Sequence, residues 1–348
     1  MRVSLAIMFT SRAISHLPST SLRASNCAIT KVPVFHRKAS TMKALVYNGI
    51  GKLALEDRPK PSIQKPTDAV IKLNHTTICG TDLHILKGDA PEVQPGTILG
   101  HEGVGTIAET GSGISNFKPG DQVLISCISA CGSCESCRKG MLSHCNNGGG
   151  WVLGHTIDGT QAEFVRIPLA DNSLYKIPEG VDPKTLVMLS DIFPTGFECG
   201  VLNGKVQPGG TVAIVGAGPI GLAALLTAQF YSPSWVLVID PDHNRLKVAH
   251  QFGAQHFCEP NQAVEYVKKL TDGKGCDTVI EAVGIPATFE QCQDLVGPGG
   301  IIANIGVHGV KADFHLEKLW AANIGAFVIS TFDSNPDTDV LQPSQPDL

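Results

Sequence analysis

Between Thr211 and Asp240 the chain carries a strand, a glycine turn, a helix and a second strand, the order that a doubly wound parallel sheet requires. Thr211 to Val215 is an uninterrupted apolar run of the fully buried kind, and Gly216-Ala217-Gly218-Pro219-Ile220-Gly221 follows it directly. A G-x-G-x-x-G is weak by itself in a chain with 37 glycines. Its context strengthens it. Gly216 allows the turn, Gly218 lets backbone approach a pyrophosphate, Gly221 lets helix and strand pack closely, and Pro219 suits the first helical turn. Phosphates would then sit at the positive end of the helix predicted over 220–230. Asp240 ends the next strand, 19 residues beyond Gly221. A carboxylate there accepts from ribose hydroxyls and repels a 2′-phosphate, which favours NAD over NADP; the alternative is a strand-end turn with Pro241. Arg245, at the start of the following helix (245–252), joins the cofactor-binding set. Strands at 278–281 and 301–305 continue the alternation, so the fold class is α/β with a parallel, doubly wound sheet over 193–331.

The preceding part, 42–192, reads differently. Short β-rich runs at 43–47, 69–73, 103–109 and 122–125, punctuated by Gly, Pro, Asn and Asp, predict a compact β-rich domain whose loops carry the chemistry. With 348 residues and 43% hydrophobic composition, two cores are affordable. A net charge of −5 argues against nucleic acid or anionic membrane as main partner, and no apolar run is long enough to span a bilayer.

Of 11 cysteines, five crowd between Cys127 and Cys145, which reads as metal chemistry in a reducing compartment rather than a disulfide framework. Cys131, Cys134, Cys137 and Cys145 stand as C-x2-C-x2-C-x7-C. Four thiolates on one lobe close a tetrahedral shell around a structural zinc; an iron–sulfur cluster is the alternative, but it calls for a different last spacing. Cys127 reads as a packed thiol. A second group is more scattered. Cys79, in Cys-Gly-Thr-Asp-Leu-His, and His101, in Gly-His-Glu, are zinc-type ligands 22 residues apart, and Asp191 is the candidate third ligand of an open, catalytic site. Taken alone, Cys79 and His101 equally describe a buried thiol and an unrelated histidine. Asp82 and Glu102 are groups that would orient these ligands, Glu102 being counted among the metal-site residues.

Cys79-Gly-Thr-Asp, Gly100-His-Glu, the four-cysteine lobe, Gly216 to Gly221 and Asp240 together resemble the zinc-containing medium-chain alcohol dehydrogenases, over roughly residues 42–320. The resemblance implies a GroES-like catalytic domain joined to a Rossmann domain, two zinc ions per chain, one catalytic and one structural, and a substrate cleft between the domains. It implies hydride transfer from a primary or secondary alcohol to NAD, giving aldehyde or ketone. Thr81 would take the alcohol proton and His84 would pass it to solvent; otherwise they are a turn residue and a surface histidine. Thr195 and the backbone near Gly284 and 305–307 are expected to face the nicotinamide. Asp in place of the more usual Cys at 191 looks like the branch of bacterial secondary-alcohol and formaldehyde dehydrogenases, and a polyol or formaldehyde dehydrogenase stays open as substrate class. A homo-oligomer, dimer or tetramer, is the expected assembly.

Both ends depart from this pattern. Residues 1–41 carry six basic residues, abundant Ser and Thr and no acidic residue, the composition of a mitochondrial transit peptide, which points to the matrix. A disordered basic arm, or translation from Met42 with a cytoplasmic product, is the alternative. Residues 332–348 are rich in Asp, Pro, Ser and Gln and are expected to be disordered, where the family continues into its catalytic domain. Such a shortened end would leave apolar surface uncovered, so a catalytically impaired zinc- and NAD-binding protein is the second functional expectation.

Overall fold

Three sheets organise residues 40–328, the part of the chain that the computed structural model describes; residues 1–39 of the leader, with Cys27, and residues 329–348, with the tail, lie outside it. Six parallel strands form the Rossmann sheet: β9 (Thr211–Val215), β10 (Trp235–Ile239), β11 (His256–Cys258), β12 (Cys276–Glu281), β13 (Val296–Asn304) and β14 (Gly325–Val328), in spatial order β11-β10-β9-β12-β13-β14. Strand order therefore reverses between β9 and β12, where an open α/β sheet leaves a crevice at its carboxyl edge. The strands are buried on both faces, by Val212, Ile214 and Val236 on one and Ala213, Leu237 and Val279 on the other. Each such Val, Ile or Leu contributes roughly 1.5–3 kcal/mol by leaving water, which is why they read as unbroken apolar runs.

The catalytic part holds two sheets. One is five-stranded and antiparallel, β7-β3-β5-β6-β8, from β3 (Ala69–Thr76), β5 (Gly103–Thr110), β6 (Gln122–Ile125), β7 (Phe164–Ile167) and β8 (Leu174–Lys176). The other is β2-β1-β4, from β1 (Thr41–Tyr47), β2 (Leu53–Pro59) and β4 (Thr97–Ile98). Ile71, Ile107, Val123, Ile125 and Val165 fill the five-stranded core.

Several predicted bounds move. The helix predicted over 220–230 runs Pro219–Ala228 with Pro219 at its first position, and the next runs His243–Gln251. The strand predicted at 301–305 begins at Val296, which pairs with Cys276, while Gly297-Pro298-Gly299-Gly300 bulges out of register before Ile301 pairs with Thr278. The last predicted strand, 323–331, is seen as β14 as far as Val328.

Candidate active site

Each proposed metal ligand is set by a different element. Cys79 precedes helix Gly80–Lys87, and its backbone N–H donates to Asp82 Oδ2 at 2.9 Å, while Gln161 Nε2 donates to the same oxygen at 2.8 Å. Asp82 thus fixes the backbone that presents the thiol. His101 lies between β4 and β5. Asp191 follows a 3-10 turn, Val187–Ser190, whose Ser190 hydroxyl bonds both Gly103 N–H (3.1 Å) and Gly103 C=O (3.2 Å), pinning this segment to β5.

The result is one cluster. The ligand atoms of Cys79, His101 and Asp191 all lie within 4.8 Å of one another, and His101 Nε2 is 2.9 Å from Asp191 Oδ2. One thiol, one imidazole and one carboxylate around a common point fit a zinc with an open position. Burial presses the His101 imidazole downward, but its bonds to Asp191 and Cys79 prevail and hold it well above its ordinary value. Burial pushes Asp191 up, but its bonds from His101 and from the Thr195 hydroxyl bring it below the ordinary carboxylate value.

One expectation needs correction here. Glu102 is not among the clustered ligands: its carboxylate accepts the Thr77 hydroxyl and, at 3.3 Å, the Ile192 N–H, so it braces the residue after Asp191 instead of binding metal. Thr195 borders the cleft, and its hydroxyl donates to Asp191 Oδ1, so it also orients a ligand.

Cys131, Cys134, Cys137 and Cys145 also converge within 4.8 Å, as free thiols. Backbone N–H groups point at the sulfurs: Cys134 N–H to Cys131 Sγ at 3.3 Å, Asn146 N–H to Cys134 Sγ at 3.4 Å and Cys131 N–H to Cys145 Sγ at 3.4 Å. Despite its burial, Cys131 is brought down to about 5 by the Ser133 and Cys134 donors, whereas burial takes Cys137 up to about 12. Four sulfurs with no other ligand match a closed zinc shell.

A cleft of about 440 Å³ joins the metal cluster to the carboxyl edge of the Rossmann sheet. Thr81 and His84 border it on one wall; Ile220, Ala282, Val283 and 305–307 border it on the other. Thr81 Oγ1 is 3.8 Å from Cys79 Sγ. Gly216 has φ +108°, and a Cβ on Gly221 would stand 1.9 Å from the Gly216 carbonyl, while a Cβ on Gly218 would enter open space. That open surface beside a helix N-terminus is the cradle a pyrophosphate fills. Asp240 is buried, and accepts the Ala217 and Asp242 N–H groups at 2.8 Å each. Arg245 Nη1 lies 3.7 Å from Asp240 Oδ2.

Some site residues had no sequence signal. Asp89 Oδ2 takes His84 Nδ1 at 2.7 Å, and Trp151 borders the cleft edge-on to His101, ring centroids 6.2 Å apart. The buried Cys127 thiol borders the cleft and donates toward Asp191. A Gly88-Asp89 helix end is a turn in most chains, so nothing local distinguishes this one.

Residues 65–179 match the alcohol dehydrogenase GroES-like domain family and residues 219–338 the zinc-binding dehydrogenase family. The chain is 38% identical over 307 residues to zinc-type alcohol dehydrogenase B of Aspergillus flavus, covering 84% of this chain and 70% of that one. It is 37% identical over 307 residues to an alcohol dehydrogenase of Cupriavidus necator, covering 83% of each. Among solved structures, zinc dependent alcohol dehydrogenase 2 from Streptococcus pneumonia (apo form) superposes with a TM-score of 0.79 at 54% identity, covering 82% of each chain. These matches, over both the β-rich part and the parallel sheet, show that the chain belongs to the zinc-containing medium-chain alcohol dehydrogenase family.

Proposed function

We propose that this protein oxidises a primary or secondary alcohol to an aldehyde or ketone with NAD as hydride acceptor. The observation that carries the reading is the cleft with the Cys79–His101–Asp191 cluster on one wall and the switch-point strand ends on the other. A zinc held by those three residues supplies a Lewis acid that lowers the pKa of an alcohol oxygen, and the nicotinamide supplies the hydride acceptor. The chain's own groups do the rest. Thr81, beside the Cys79 sulfur, offers a hydroxyl that accepts the alcohol proton while donating its own. Asp89, bonded to Nδ1 of His84, turns the other ring nitrogen toward proton exchange. Trp151 narrows the cleft beside His101 and excludes water.

The Asp240 carboxylate supports NAD over NADP, because a 2′-phosphate would approach a buried negative charge. Arg245 beside it offsets part of that repulsion. Purified protein assayed for turnover of primary, secondary and polyhydroxy alcohols with NAD and with NADP tests the reading. The expected result is two zinc ions per chain and the higher kcat/KM with NAD; folded protein with two zinc ions and no turnover of any alcohol would favour the impaired alternative. Homo-oligomeric assembly and targeting by residues 1–41 belong to the same proposal, and sedimentation and a fluorescent fusion of that leader test them.

A further inference from the structure

Two buried carboxylates end the strands on either side of β9. Asp240 follows β10 and fixes the glycine loop through the Ala217 N–H. Glu281 ends β12 and is fully buried. Its Oε1 accepts the Val283 N–H at 3.1 Å, the Gly284 N–H at 2.9 Å and the Thr288 hydroxyl at 2.7 Å; Oε2 accepts the Gly284 N–H at 3.1 Å and lies 3.7 Å from His308 Nε2. Its backbone carbonyl accepts the N–H groups of Ile305 at 2.8 Å and Gly306 at 3.2 Å. Asn304 completes the arrangement, accepting from His308 Nε2 at 2.9 Å and donating to the Gly306 carbonyl at 2.9 Å.

One residue therefore ties together the loop after β12 and the loop after β13. They are pressed backbone on backbone: a Cβ on Gly284 would come 2.3 Å from the Val307 carbonyl, and one on Gly306 would come 2.2 Å from Glu281 Oε2. The other side of both loops, Ala282, Val283 and 305–307, is the cleft wall facing the metal cluster. Val283 also packs against Gly216, where an added Cβ would meet Cγ2 at 2.7 Å. A hydride acceptor has to lie between that wall and the metal cluster, within reach of the alcohol carbon.

We propose that Glu281 is the positioning residue for the nicotinamide half of the bound dinucleotide, holding the two loops at the spacing that places the ring, as Asp240 holds the loop for the adenosine half. This rests on reading the cleft as a dinucleotide site. Charge-assisted bonds to N–H donors are roughly twice as strong as neutral ones, so the Glu281→Gln variant keeps the side chain's shape and loosens its grip on Val283, Gly284 and Thr288 and its approach to His308, while the backbone bonds to Ile305 and Gly306 stay.

The test titrates the zinc-loaded wild type first with NADH and with ADP-ribose, which lacks only the nicotinamide. Absence of binding by either ligand would overturn the dinucleotide reading itself, and the inference with it. Given wild-type binding, Glu281→Gln should weaken NADH about tenfold, the equivalent of one charge-assisted bond, with ADP-ribose unchanged and kcat lowered. Equal weakening of both ligands would mark Glu281 as general scaffolding, and unchanged NADH affinity and kcat would remove it from the site; either result overturns the assignment. Thr288→Val removes a single donor to the same carboxylate and should show the same selective loss to a smaller degree, which keeps the test decisive where Glu281→Gln fails to fold.

Discussion

The four-cysteine lobe and the Cys79–His101–Asp191 cluster gather ligands to the same tightness, but by opposite means. The lobe draws all four from one short stretch, Cys131 to Cys145, and its backbone N–H groups already aim at the sulfurs. The second cluster draws three ligands from a helix N-terminus, an inter-strand loop and a turn before the Rossmann domain, and two of them are held by groups outside the cluster: Asp82 behind Cys79, Ser190 and Thr195 around Asp191. A local shell of four thiolates leaves no coordination position for chemistry. A shell of three on separate elements leaves one open, beside a cleft, and makes the ion's grip depend on the whole fold.

Deleting one ligand from each should give opposite signatures. Cys79→Ala is expected to lower turnover by about a thousandfold or more, since a Lewis acid supplies several kcal/mol of charge stabilisation. Zinc content should fall from two ions to one with the thermal midpoint nearly unchanged. Cys145→Ala should do the reverse. A site loaded at a thousand times its dissociation constant contributes about 4 kcal/mol of stability, and that is lost, while activity per folded molecule stays. Metal analysis, thermal melts and turnover on both variants check the pair; a Cys145→Ala protein as stable as the wild type would remove the structural role.

The same contrast explains what could be read without a structure. The lobe was legible because its ligands and its turns are neighbours in sequence. The Rossmann strands were legible because burial on both faces writes continuous apolar runs, as in Thr211–Val215. β2 was not: Leu-Ala-Leu-Glu-Asp-Arg-Pro has no buried residue, and it is a strand because it pairs along all of β1. Glu102 was placed near the site but given the wrong contact, and the bond from Thr195 to Asp191 was not foreseen, because which neighbour a carboxylate or hydroxyl meets is decided by tertiary packing. Glu281 had no signal at all beyond its position at a strand end.

The ligand cluster's supports can be probed directly. Thr195→Val keeps the volume and removes the hydroxyl donor to Asp191. Loss of such an outer partner costs about 10- to 100-fold in metal affinity or kcat/KM. The lobe's donors are mainly backbone, with Asn147 Nδ2 (3.3 Å) and the Ser133 hydroxyl (3.6 Å) on Cys131 Sγ as side-chain partners, so Asn147→Ala should loosen its zinc less than Thr195→Val loosens the ion at the three-ligand cluster.

The smallest effect concerns protons. In the metal-free protein His101 holds its proton well above the ordinary 6.5, so the stability it contributes is complete below that value and disappears as pH rises through the raised one. Asp191, below the ordinary 3.8, contributes above that value and loses its contribution as pH falls through the lowered one. Between those limits the pair is intact, and a metal ion must displace the His101 proton to bind. Affinity should therefore climb at least about tenfold per pH unit and gain less once pH passes the His101 value. The lobe's affinity should climb with pH too, because Cys137, up at about 12, carries a proton through the neutral range that a metal ion must displace. Competition with a chromophoric chelator, site by site in the Cys79→Ala and Cys145→Ala backgrounds, measures both slopes. A pH-independent affinity at the three-ligand cluster would mean that His101 is not the protonated partner of Asp191.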